Sequence, residues 1–126
     1  MPLTQYLEKA MLDWCLGGAT PTRPSAWYLQ YATGSPNVSG ASDGPFTPRA
    51  TVSASPANSP AGSVLINAAS VPATATAIAT ALGWNIYDAS VGGNRLMFGT
   101  LTASVGCASG DSIQMNFPSV CKITLA

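Results

Sequence analysis

A mainly-β sandwich carrying one N-terminal amphipathic helix is the fold this sequence predicts. Three observations point there. Only the opening segment has a 3.6-residue apolar period, and the rest breaks into short runs of period 2. Those runs are separated by turns that draw on the chain's 12 glycines and 10 prolines. The 47% hydrophobic content with only 8% charged residues marks a folding sequence, since disordered chains are hydrophobe-poor and highly charged. At 126 residues one domain is expected over 1–126, with the helix within 1–18 and the sandwich over 26–126.

The helix rests on Leu3, Tyr6, Leu7, Ala10, Met11, Trp14 and Cys15, which fall on one stripe. Thr4 is a suitable N-cap, and Gly17-Gly18 supplies a stop where left-handed dihedrals are free of a Cβ clash. Three turns of isolated helix are marginal in water, so this face must dock, through Tyr6, Leu7, Met11 and Trp14. Its own domain and a partner subunit both qualify as the surface it meets.

After the Pro21–Ser25 connector the period changes to 2. Trp27, Leu29 and Tyr31 share one face of a strand, and a long loop follows over 33–48. Ala50–Ser55 reads as a short strand, Pro56–Gly62 as a turn and Ser63–Ala69 as a further strand. The Thr/Ala alternation from Ala73 onward has the composition of a helix but the period of a strand, so a strand is expected over 76–87. Asp88–Asn94 reads as a hairpin turn into a strand over Arg95–Leu101, with Gly92 and Gly93 meeting the need for positive φ. Gly106–Gly110 is another turn. Asp111–Phe117 and Val120–Leu125 supply the final strands. The expected core is Trp27, Leu29, Tyr31, Val52, Val64, Ile66, Ile78, Trp84, Ile86, Leu96, Phe98, Leu101, Ile113, Met115, Ile123 and Leu125.

Composition narrows the function. Five cations against five anions leave no basic footprint for phosphate, so no nucleic-acid partner is expected. The absence of histidine removes the commonest metal ligand and general base. With no acid–base pair to activate a nucleophile, the reading is no enzyme, no cofactor and no metal. Asp43, Asp88 and Asp111 lie in or beside glycine-rich turns and read as turn formers. Trp27, Trp84 and Tyr87 suggest a sugar-stacking platform, although alternation puts Trp84 in the core. No stretch has the run of apolar residues that a membrane span requires, and the first residues lack the cationic region of a secretion signal. Synthesis in a cytosol is therefore expected. Cys15, Cys107 and Cys121 read as free, small, buried hydrophobes, with a Cys107–Cys121 bridge as the alternative. A surface so poor in charge suits a subunit packed against neighbours.

The order of segments carries a resemblance. Leu7–Trp14 leads to Trp27-Tyr28-Leu29 and then Ala32-Thr33-Gly34-Ser35-Pro36; Gly83–Ser90 is followed by Gly92–Leu101, and Gly110-Asp111-Ser112-Ile113 by Ile123-Thr124-Leu125. In this the chain resembles small virion structural proteins of tailed bacteriophages, of the tail-fibre-like or minor structural kind. The resemblance implies a particle component bound to the major capsid protein or other virion proteins, as a homo-oligomer or multi-copy array. Capsid decoration is the first expectation. A tail component (tube-associated, terminator or baseplate/fibre adaptor) and a carbohydrate- or receptor-binding module are the alternatives. Tyr6, Trp14, Arg23, Phe46, Arg49 and Arg95 are the interface candidates.

Overall fold

In the computed structural model the described residues are 3–52, 54–55, 63–66, 71–115 and 122–124. One helix, α1 (Gln5–Cys15), precedes ten strands. These are β1 (Trp27–Ala32), β2 (Phe46–Thr47), β3 (Ala50–Val52), β4 (Ala54–Ser55), β5 (Ser63–Ile66), β6 (Val71–Ala75), β7 (Ala79–Tyr87), β8 (Arg95–Cys107), β9 (Ser112–Met115) and β10 (Lys122–Thr124). They form three antiparallel sheets in the orders β3-β1-β7-β8, β2-β6-β9 and β10-β5-β4. The predicted fold class is the observed one, mainly β with a single N-terminal helix.

The first two sheets share one core. Leu29, Tyr31, Val52, Trp84 and Ile86 from the four-stranded sheet meet Phe46, Ala73, Ala75 and Ile113 from the other. Tyr31 and Phe46 pack edge to face, their ring centroids 5.8 Å apart, a geometry that suits the ring quadrupoles. Leu96 is also buried, while Trp27, Phe98 and Leu101 are half-buried. The side chains at 64, 66, 115 and 123, the residue at 125, the turn expected at 56–62 and Cys121 lie outside what is described.

Three strand assignments are corrected. The strand expected over 76–87 divides at its start: residues 76–78 form a turn and only the rest is a strand, β7, which that turn joins to β6 in a different sheet. Ile78, expected in the core, therefore sits on that turn and is 85% exposed. The strand expected at 50–55 likewise divides, β3 pairing with β1 and β4 with β5. Finally, β8 runs through Gly106 to Cys107, well beyond the expected end at Leu101.

A bulge explains why β7 defies a single parity. Ala81 pairs with Val105 but Gly83 pairs with Thr100, so Leu82 faces residues 101–104 across the ladder. Ala81 points into the core before the bulge, and Trp84 and Ile86 do so after it. Gly99 pairs with Trp84, and a Cβ at position 99 would overlap the indole ring. The other face of β7 is covered as well. Gly83, Asn85 and Tyr87 are buried beneath the 33–44 loop, which is why five consecutive residues of this strand exclude water.

Candidate functional site

Asn85 is a polar residue in the middle of an apolar strand and is fully buried, so each of its groups must find a partner. Its Nδ2 donates to the Ala41 carbonyl (2.8 Å) and to Asp43 Oδ1 (2.7 Å), and its Oδ1 accepts from Arg95 Nη1 (3.0 Å). Asp43 Oδ2 accepts from the Tyr87 hydroxyl. Arg95 also donates to the carbonyls of Gly40 (3.0 Å), Asn37 (2.7 Å) and Val38 (3.2 Å). One guanidinium thus closes the 37–41 turn onto the sheet.

Arg49 does the same for the next hairpin. Its Nη1 donates to the carbonyls of Ala89 (3.0 Å) and Gly92 (2.7 Å), and its guanidinium lies 3.6 Å from the Tyr87 ring centroid. Its Nη2 is 4.0 Å from Asp43, near enough for attraction but too far for a hydrogen bond. Tyr87 is pushed up to about 12, chiefly by desolvation and then by its hydrogen bond to the Asp43 carboxylate and that group's charge; Arg49 and Arg95 pull the other way.

Asp88 and Asp111 form turns, as the sequence suggests, whereas Asp43, expected to do the same, gives its carboxylate to Asn85 and Tyr87 instead. Asp88 accepts from the Asn94 amide (2.7 Å) inside the hairpin, where Gly92 and Gly93 have φ of 63° and 75°. Asp111 accepts from the Ala108 amide (2.9 Å). An open groove of about 550 Å³ runs beside Arg49, lined also by Gln30, Thr47, Pro48, Ser90, Val91 and Gly92. Gln30 gives its amide to the Gly44 and Phe46 carbonyls and so ties the floor of the groove to the long loop.

The helix contrasts with this satisfied interior. Thr4 caps α1, accepting from the Leu7 amide (3.4 Å), and its hydroxyl contacts the Arg95 and Leu96 carbonyls of β8. Leu3 bridges to Met97, the Thr4 amide donates to Leu96 (3.0 Å), and the Gln5 amide donates to Val38 (3.1 Å). Beyond this base the burial of the helix falls off, and every residue from Met11 onward is exposed. Leu7 and Ala10 are half-buried beside a small groove shared with Pro24, Trp27 and Met97. No residue of α1 is fully buried, and Tyr6, Met11, Leu12, Trp14 and Leu16 are all exposed. The expected docking face therefore meets its own protein only in part. Cys15 is an exposed free thiol, against the expectation of burial, whereas Cys107 is free and buried.

The six interface candidates separate clearly. Tyr6, Trp14 and Arg23 are at the surface. Phe46 is 1% exposed and belongs to the core, because a two-residue strand inside the long loop turns it inward. Arg49 and Arg95 hold the protein's own carbonyls. Nor do Trp27, Trp84 and Tyr87 make a platform, since Trp84 and Tyr87 are buried. The polar cluster was missed in the sequence; its one signal was Asn85 interrupting the Trp84/Ile86 strand.

The described residues thus make a small β-sandwich in which Arg49 and Arg95 hold the protein's own loops and the N-terminal helix leaves Tyr6, Met11, Leu12 and Trp14 exposed. Residues 2–121 match the family described as Podophage GP4 fiber I protein gp80, and the chain belongs to that family. It is a phage virion structural protein of the fibre-like kind. Nothing among curated proteins matches it. No helix among the described residues is long and apolar enough to cross a membrane.

Proposed function

We propose that the protein is a non-enzymatic component of the phage tail fibre or of its attachment, working through contacts with other virion proteins. The family match over residues 2–121 carries this reading, because the family's description names a fibre. Of the three expectations drawn from the sequence, it favours the tail component over capsid decoration and over a carbohydrate- or receptor-binding module. The structure is consistent with such work. Its arginines and buried amide fix loop shape, which is what a repeated, rigid part requires, and the exposed Tyr6 and Trp14 are residue types that dominate interface energetics. Several copies per particle belong to the same proposal.

The test compares particles made with and without the protein, imaged by electron microscopy with antibody labelling. Label at the tail, with fibres lost or detached and shells intact, is the expected result. Label over the shell, with heads that rupture on heating or osmotic shock, would replace this reading with capsid decoration.

A further inference from the structure

We infer that the groove beside Arg49 binds an extended, uncharged segment of a different virion protein through that segment's backbone. The inference rests on the proposed virion role and specifies a contact for it. Two side chains on the groove's lining are only partly used by the fold. Gln30 is 7% exposed, and the Gly44 and Phe46 carbonyls, at 3.1 Å and 2.8 Å, take its two amide hydrogens and so fix which atom is Nε2. Its Oε1 has no hydrogen-bond partner among the described residues. Arg49 gives both Nη1 hydrogens to the Ala89 and Gly92 carbonyls, which leaves Nε and Nη2 without a hydrogen bond among the described residues. No enclosed side-chain nitrogen or oxygen among these residues lacks a partner, so the free atoms are open to solvent, and the groove is the opening that both residues line. An acceptor and a charged donor, each held in place by backbone carbonyls, thus share one surface.

These free atoms select the ligand. A carboxylate would suit Arg49 but would meet the Asp43 charge, 4.0 Å from Nη2, and would set lone pair against lone pair at Gln30. A cation would meet Arg49 itself. A sugar ring finds no stacking face in Tyr87, because the guanidinium covers that ring at 3.6 Å from its centroid. A neutral group that both donates and accepts fits, with its N–H on Gln30 Oε1 and its C=O on Arg49. In an extended chain the N–H and C=O of one residue point to the same side, as they do between antiparallel strands, whereas those of a single trans amide point apart. This favours a polypeptide over an isolated acetamido group. Pro48 and Val91, the latter 86% exposed, supply an apolar rim for the segment's side chains. The space, about 550 Å³, lies within the ~300–1,000 Å³ of ligand sites. A second copy of this chain is a poor occupant. Among the described residues its largely exposed connector, 19–25, lacks the N–H at Pro21 and Pro24 and carries Arg23, a like charge to Arg49.

The intact, isotope-labelled protein is titrated with acetyl- and amide-capped tetra-alanine, and the side-chain signals of Gln30 and of Arg49 Nε are followed by NMR. Shifts confined to these two residues and their neighbours in the groove are expected, with the backbone N-methylated peptide binding about tenfold more weakly or worse. Acetate and N-acetylglucosamine should leave both signals in place. A Ser90→Trp variant, altered at an exposed position on the groove's lining, should keep its thermal stability, lose peptide binding by about tenfold or more and enter particles about tenfold less. No shift with the peptide, an N-methylated peptide that binds as well, or an equal response to acetate or the sugar overturns the assignment of the groove, and so does normal incorporation of the variant. Groove signals that move on concentrating the protein alone, with dimers in solution, overturn it in favour of a second copy. Particles that lack the parent protein overturn the virion role and this inference with it, whereas particles that contain it, beside a groove indifferent to the peptide, overturn the groove alone.

Discussion

Replacing Arg95 with alanine removes four hydrogen bonds at once, to the carbonyls of Asn37, Val38 and Gly40 and to Asn85 Oδ1. The contacts to Gly40 and Asn85 are partly buried, and the two charge-assisted bonds, discounted for that partial exposure, are together worth about 2–4 kcal/mol. The two exposed carbonyls recover water and contribute little, about 0.5 kcal/mol each. The expected loss is therefore about 3–5 kcal/mol, a large share of the ~5–15 kcal/mol that stabilises a typical domain. Urea denaturation reads it as a drop in midpoint of about 1.5–2.5 M for a slope near ~2 kcal/mol per M. Limited proteolysis should show the 37–41 turn opening before the sheets. Arg95→Lys keeps the charge but not the planar fork, and should recover less than half of the loss. An alanine variant within about 0.5 kcal/mol of the parent, or a lysine variant as stable as the parent, would refute the reasoning.

Gly99→Ala should cost about 1–3 kcal/mol in thermal or urea unfolding, because its methyl group must displace the Trp84 indole; an unshifted transition would mean that the ring has room to move. Thr4→Val keeps the buried shape but removes the N-cap and the link to Leu96, and should lower stability by about 1–2 kcal/mol with loss of helical ellipticity at 222 nm. Tyr87 should titrate late, seen as a tyrosinate absorbance step near pH 12 that Tyr87→Phe abolishes. Since its folded value lies above the unfolded value near 10, its contribution to stability is level below about pH 10 and falls as pH rises toward 12. A titration without a late step would contradict the Tyr87–Asp43 contact.

The helix and the 88–94 hairpin were legible because their signals are local. Thr4 and Gly17 bracket α1, and Asp88 reaches Asn94 across two glycines that alone accept the required φ. The turn at 76–78 was not legible, because period-2 alternation, with Ile78 in place of a threonine, continues through a change of sheet. Glycine or proline would have marked it, and neither is present there. Parity then failed at Leu82, since a bulge is decided by the strand opposite and leaves no mark on its own. Apart from Asn85 and Arg95, the polar cluster joins residues 42 to 58 apart in the chain, a distance over which periodicity is silent. What the sequence did show was Asn85 among apolar neighbours, and a buried amide is itself a demand for partners.

The attachment of α1 also fixes how mechanical tension would enter the sandwich. At one end the helix is tied through Leu3 and Thr4 to β8, and at the other the chain returns through the connector to β1. In the sheet order β3-β1-β7-β8 these two strands lie on either side of β7. A pull on the helix tip is therefore divided between both neighbours of the strand that carries Trp84 and Asn85. Neither strand can yield without shearing its ladder against β7, where the indole fills the space beside Gly99 and the amide is bonded on every side. The segment from Leu3 to Trp27 thus acts as a handle riveted at two points, with the most tightly interlocked strand of the sheet held between them.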